Sequence, residues 1–263
     1  MPQPDHDLFL AVLIVLLGAP MGSFAALLAD RLPRGRPVIV TRSQCESCQS
    51  VLRWHHLIPI LSWIALRGRC ATCNAHIPAR LLQAELAGLG LAVLAVWAGL
   101  GVLGAAIFWC LLALILSDLR FFRLPDALTV ALLLLALAAA YWPDGPGEIT
   151  RPDALLRAAL GGAVGAGAFW ALAAGYAVLR GHAGMGIGDI RLMAGLGALI
   201  VPVADWHGLA LMTLIAGLSG ILLGVTSSLL RGKSLRRTLR LPFGACLCGA
   251  AIMIYTASGL TLL

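Results

Sequence analysis

Charge is what this sequence has least of. Only 12% of its 263 residues are charged, 19 basic and 12 acidic, while 60% are hydrophobic. Soluble domains carry about twice that charged fraction, and disordered chains need charge without hydrophobicity. Both classes are excluded. Several long stretches hold no charge at all: Leu8–Ala29, Leu86–Ser117, Gly208–Leu230 and Leu241–Leu263. Each reaches the roughly 20 apolar residues that a helix needs to cross a bilayer. Two further absences matter. No Lys or Arg precedes the first apolar run and no A-x-A site follows it, so the run reads as a span and not as a cleavable leader. No motif recurs between the two halves, which counts against a transporter built from inverted repeats.

What remains is an all-α membrane protein with about eight transmembrane helices. The expected spans are residues 8–29, 81–99, a third ending near Ser117, 127–142, 155–179, 190–203, 208–230 and 243–262. Leu86–Ser117 is too long for one crossing at 1.5 Å per residue, and Gly99, Gly101 and Gly104 permit a reversal inside it. Gly161, Gly162, Gly165 and Gly167 predict a helix that packs closely on a neighbour. Residues 143–153 read as an outer loop, Asp205-Trp206-His207 as a turn, and Arg231–Arg240 as a basic loop. With the N-terminus outside, all Lys and Arg except Arg151 and Arg157 fall on one side. That asymmetry marks the cytoplasmic face. The basic excess thus sets topology, and the expected partner is a lipid bilayer, with no nucleic acid.

Between the first and second spans lies a polar segment with four of the seven cysteines. Cys45, Cys48, Cys70 and Cys73 form two C-x-x-C pairs, a spacing that closes a tetrahedral zinc site. Two disulfides are the alternative, which a reducing cytoplasmic loop disfavours. Four thiolates leave no open position for water, so the Zn2+ is structural. His55 and His56 could also ligate but are not needed. Cys110, Cys246 and Cys248 lie in apolar spans and read as packing residues.

Two carboxylates stand at apolar boundaries. Asp189 ends the ribbon Gly184-Met185-Gly186-Ile187-Gly188-Asp189, and Asp118 closes the third span. Carboxylates at a membrane boundary are costly and suggest function. Two of them a few ångströms apart share one proton and can activate water against a peptide bond. Gly184, Gly186 and Gly188 would let a substrate backbone approach, by close contact or unusual dihedrals. The plain alternative is that each Asp caps a helix or faces solvent. Asp126, just after Pro125, reads as such a cap and as the second choice to Asp118.

Five ordered segments resemble the type IV prepilin peptidases, the leader peptidase/N-methyltransferases. They are Gly22-Ser23-Phe24 with Arg31-Leu32-Pro33, Ile58-Pro59 through Cys70, Asp118 through Leu124-Pro125-Asp126, Gly184 through Asp189, and Leu241-Pro242-Phe243-Gly244. The resemblance implies a multi-pass aspartic endopeptidase of the bacterial inner membrane. It would cut leaders from prepilins or type II secretion pseudopilins on the cytoplasmic side, with Asp118 and Asp189 as the catalytic pair. It also implies methylation of the new N-terminus with S-adenosylmethionine, linked to the cysteine-rich half. The implied division is a first helix at 1–30, a zinc domain at 31–80 and a peptidase domain at 81–263. Three positions depart from the pattern. Ala26 stands where Asn is common, His55-His56-Leu57 where Asp and Asn are usual, and Arg191 where Lys is usual. The first two fall in the half linked to methyl transfer, so the resemblance carries cleavage and leaves methylation open. A transporter or a non-catalytic secretion-assembly subunit are the competing readings.

Overall fold

The computed structural model describes residues 4–38, 43–142, 151–182, 184–230 and 241–260. Residues 143–150 of the expected outer loop and the basic loop Arg231–Arg240 lie outside the described residues. In order come α1 (Pro4–Arg31), a short α2 (Leu61–Ala65), α3 (Ala79–Trp97), α4 (Gly101–Phe121) and α5 (Asp126–Tyr141). Then follow α6 (Arg151–Arg180), α7 (Ile187–Leu230) and α8 (Phe243–Leu260). Among the described residues there is no strand, only two isolated bridges in the cysteine segment. Helices prevail because lipid offers the backbone no hydrogen-bond partner.

Six of these helices are long and apolar enough to cross a membrane, and α5 is a shorter apolar helix. Helix α7 has 44 residues. At 1.5 Å per residue that is about 66 Å, twice a bilayer core of about 30 Å. It is broken at Asp205, whose φ of 54° and ψ of −167° are not helical, three residues after Pro202. A Cβ built on Gly208 would lie 3.3 Å from Ile200 Cγ2. A straight helix holds residues eight apart at about 12 Å, so the chain folds back here. The turn read at Asp205-Trp206-His207 is therefore present, and the helices supply eight segments, as expected.

The segments alternate in direction. Asp30 at the end of α1 pairs with Arg120 at the end of α4 at 3.1 Å, and Arg191 near the start of α7 bonds Asp126 at the start of α5. At the opposite end Arg157 of α6 pairs with Asp205 at 2.6 Å, and Gly259 of α8 lies against Ala98 O. The core is built from α4, α8 and the first half of α7, where Phe108, Leu111, Leu114, Leu196, Ile200 and Leu247 are completely buried. The outer helices leave residues such as Leu16 and Trp170 exposed, a surface suited to lipid.

Small residues bring two helix pairs together. Gly18 and Gly22 of α1 face Gly88 and Ala84 of α3, and Gly161 of α6 faces Gly197 of α7. A Cβ on Gly161 would lie 2.4 Å from Gly197 O and 2.7 Å from Val201 Cβ. Gly161→Leu is expected to destabilise the bundle by about 1–3 kcal/mol, read as a lower melting temperature in detergent. Gly167→Leu, which points into open space, should melt with the wild type. Equal melting of the two variants would remove backbone contact as the reason for the glycines.

Candidate active site and metal centre

Asp118 sits in the last turn of α4 and is 6% exposed. Its helix ends at Phe122, which takes a left-handed φ of 50° and donates its N–H to Asp118 O at 2.9 Å. Ser117 Oγ donates to Arg123 O at 2.7 Å and fixes the exit. The Asp118 carboxylate is bound from far along the chain: Ala245 N–H donates to Oδ2 at 2.8 Å. Ala245 is in the first turn of α8, where backbone amides have no partner within their own helix. The buried carboxylate is thus held by a helix N-terminus.

Asp189 lies in the first turn of α7, half-buried, and its N–H donates to Gly186 O at 3.1 Å. The two acids approach the same residue, Leu124, from different elements. A Cβ on Gly188 would lie 3.2 Å from Leu124 Cβ, and one on Gly244 2.9 Å from Leu124 Cδ1 and 3.1 Å from Asp118 Oδ2. Leu124 is the spacer on which the loop after α4, the glycine ribbon and the start of α8 close.

The three ribbon glycines do different things. Gly184 lies on the Tyr176 ring, where a Cβ would come within 2.3 Å, and Gly188 lies on Leu124. A Cβ on Gly186 would meet nothing nearer than Asp189 Oδ2 at 3.8 Å, so Gly186 borders open space beside the acid. None of the three has a positive φ. At Gly184 and Gly188, close approach and not an unusual dihedral is what requires glycine.

Asp126 is not a cap. Its side chain makes no capping bond at the α5 N-terminus, where Pro125 is the N-cap residue, and it pairs with Arg191 on the exposed surface. An exposed ion pair contributes about 0–1 kcal/mol. Asp126→Asn should therefore leave folding and catalysis within a few-fold of wild type in a cleavage assay. A loss as deep as that of an Asp118 variant would make Asp126 the second acid.

The cysteine segment carries two knuckles of the same design. Cys45 N–H donates to Ser50 O and Gln49 N–H to Cys45 O. Cys70 N–H donates to Ala75 O and Asn74 N–H to Cys70 O, all at 2.9–3.0 Å. Gln49 and Asn74 share a left-handed φ of 57°. Bridges Gln44–Val51 and Arg69–His76 close the two turns. All four cysteines are free, and their sulphurs lie within 4.8 Å of one another. Cys45 Sγ and Cys73 Sγ are 3.8 Å apart, far beyond a disulfide bond of about 2.05 Å. A tetrahedron with Zn–S bonds of about 2.3 Å has edges of roughly 3.8 Å. The group could hold zinc.

Electrostatics point the same way. Backbone N–H groups of Cys73 and Thr72 hold the Cys70 thiol down to about 6. Ala75 N–H favours the Cys73 thiolate, but the sulphurs of Cys48, Cys70 and Cys45, with burial, push it up to about 11. Four adjacent thiolates conflict unless a cation sits among them. His55 and His56 pack edge to face at 4.3 Å and are not part of this group.

With this geometry in place, the relatives are informative. Residues 16–99 match the bacterial peptidase A24 N-terminal domain, and residues 105–225 match the type IV leader peptidase family. A protein named prepilin leader peptidase/N-methyltransferase from Burkholderia pseudomallei (strain 1026b) is 37% identical over 94% of this chain and 76% of its own length. The chain belongs to the type IV leader peptidase family. Proteins of the same name from Aeromonas salmonicida (35% identical, covering 79% of this chain and 68% of theirs) and Pseudomonas aeruginosa (31%, 91% and 88%) agree. No solved structure matches the chain.

For this leader-peptidase family member, the relatives support the peptidase reading and not the transporter or the assembly subunit. Sequence reasoning missed the donor to Asp118. Leu241-Pro242-Phe243-Gly244 flagged the segment, but nothing local in it says that the following amide meets an acid of α4.

Proposed function

We propose that this chain is a membrane aspartic endopeptidase. It removes the leader of type IV prepilins or type II secretion pseudopilins at the cytoplasmic face of the bacterial inner membrane. What supports this reading is that Leu124 packs both against Gly188, the neighbour of Asp189, and against Gly244, which lies beside Asp118, with open space at Gly186. The cytoplasmic assignment rests on the basic residues at that end, Arg31, Arg34, Arg120, Arg123 and Arg191.

In the reaction the two acids share one proton. The ionised one accepts a proton from water as the water oxygen attacks the scissile carbonyl carbon. The protonated one donates a hydrogen bond to the carbonyl oxygen. Collapse of the tetrahedral adduct breaks the C–N bond, and the leaving amine takes a proton from the pair. The backbone around Gly186 lies where a substrate backbone would run. Helix ends alone do not decide which acid rests protonated. Asp118 ends α4 but also meets the amides of α8, while Asp189 opens α7.

The cysteine group would hold a structural zinc through Cys45, Cys48, Cys70 and Cys73. Residues 31–80 form the zinc domain and residues 81–263 the peptidase. The curated relatives are named for a second activity, N-methylation, and this chain would use S-adenosylmethionine as methyl donor for the new N-terminal amine. The test is purified protein in detergent with a prepilin-like substrate. Mass spectrometry should find the leader released and the mature N-terminus 14 Da heavier, the increment of about one methylene. An intact substrate would reject the peptidase, and an unmodified mature end would reject methylation alone.

A further inference from the structure

A second cavity, of about 320 Å³, lies away from the two aspartates, between α1, α3 and the cysteine segment. That is the lower end of the range for small-molecule sites, about 300–1,000 Å³. Its wall includes Ser23, Leu27, Asp30, Trp63 and Glu85.

Glu85 organises it. Ser23 Oγ of α1 donates to Oε1 at 3.0 Å, and Ile60 N–H donates to Oε2 at 2.7 Å. Ile60 has a φ of 63°, in the left-handed region that a β-branched residue avoids. A tight turn, Leu61 N–H to Pro59 O at 2.6 Å, closes around it, and the Glu85 bond takes up its own N–H. Yet among the described residues no Lys, Arg or His pairs with Glu85. A carboxylate on a cavity wall at a membrane boundary, bonded only by neutral donors, is a site prepared for a cation. Across the same cavity Trp63 Nε1 is buried and has no hydrogen-bond partner. Its ring is fixed by Gly68, where a Cβ would come within 2.8 Å of Cζ2. A buried N–H without a partner calls for an acceptor on the ligand.

Arg31, Arg80 and Arg120 share the wall with Asp30, Glu46 and Glu85, so the ligand that fits is small, carries charge of both signs and is rich in acceptors. We propose that this cavity is the S-adenosylmethionine site, with Glu85 facing the cationic end and Trp63 Nε1 donating to an acceptor atom. This rests on the reading that the chain methylates. The cavity also touches Cys45 and Cys70, so the metal-folded segment forms one of its walls.

Equilibrium dialysis of the zinc-loaded full chain in detergent tests the assignment, with S-adenosylmethionine and S-adenosylhomocysteine as probes. The second probe lacks the sulfonium charge. Wild type should bind S-adenosylmethionine at least about tenfold tighter, and Glu85→Gln should lose most of that preference. Leu27→Trp, which fills the cavity without touching the Glu85 bonds, should abolish binding of both while retaining one zinc. Wild type that binds the two probes equally overturns the proposal with no variant needed. So does a zinc-loaded Leu27→Trp that binds like wild type. If wild type binds neither probe, the site is wrong. Mass spectrometry of the cleaved product then separates the cases: a methylated end keeps the second activity and moves its site, and an unmethylated end removes the activity itself.

Discussion

Asp118→Asn and Asp189→Asn are each expected to lower leader cleavage at least about a thousandfold, within the 10²–10⁴ that a positioned acid or base contributes. Asn keeps the size of Asp but cannot exchange a proton. Asp118→Asn also retains an oxygen for the Ala245 N–H, 2.8 Å from the native carboxylate, so the helix contact should survive. The double variant should be no slower than the worse single variant, because two groups that share one proton act as a unit. Substrate binding should change little, since the loss is in the reacting state. The measurement is single-turnover cleavage with a labelled prepilin-like substrate. Additive losses in the double variant would mean that the two acids work separately. Retained cleavage in either single variant would remove that residue from the reaction.

Much of this was legible because lipid imposes simple rules. Uncharged runs located the spans, and the split of basic residues fixed their alternation. Even the break at Asp205 could be read, from the polar step Asp205-Trp206-His207 between two apolar runs. What could not be read is what the chain does across distance. Nothing near Ala245 predicts that its amide binds Asp118, 127 residues earlier. Asp126 followed proline and so looked like a cap, but its partner is Arg191, 65 residues on. In the sequence Glu85 is only the charge that precedes the run Leu86–Ser117. Its importance comes from Ser23 and Ile60, which belong to two other segments. The glycine ribbon stood out in the sequence, but the residues that crowd it, Tyr176 and Leu124, come from other elements.

A charge cluster joins the end of α1 to the end of α4. Asp30 accepts from Arg34 at 3.3 Å and pairs with Arg120 at 3.1 Å, and both arginines lie over the Phe121 ring. Arg120 is two residues from Asp118, and it also borders the Glu85 cavity. The end of α4 thus carries Asp118 and, two residues on, one wall residue of that cavity.

Removing the metal should separate the halves. Among the described residues of 43–78, only Gly68 and Cys70 are buried. The longest regular element there is the five-residue α2. Such a segment has no apolar core to hold it, so its folding free energy must come from the metal, about 10–16 kcal/mol for structural zinc in small domains. A chelator strong enough to strip zinc, or Cys70→Ser, is therefore expected to unfold this segment entirely. Trypsin would then cut rapidly at Arg53, Arg67 and Arg69. The bundle should stay intact, because Asp118, Ala245, Leu124 and Gly188 make their contacts without the segment. Leader cleavage should persist within about threefold, as expected of sites that share no partners, while S-adenosylmethionine binding disappears with the cavity wall. Cys110→Ser, in α4, should keep full zinc content. If the metal-free protein resists trypsin like the native one, the four cysteines do not hold the segment together. If it loses cleavage as completely as Asp118→Asn, the two halves are one cooperative unit.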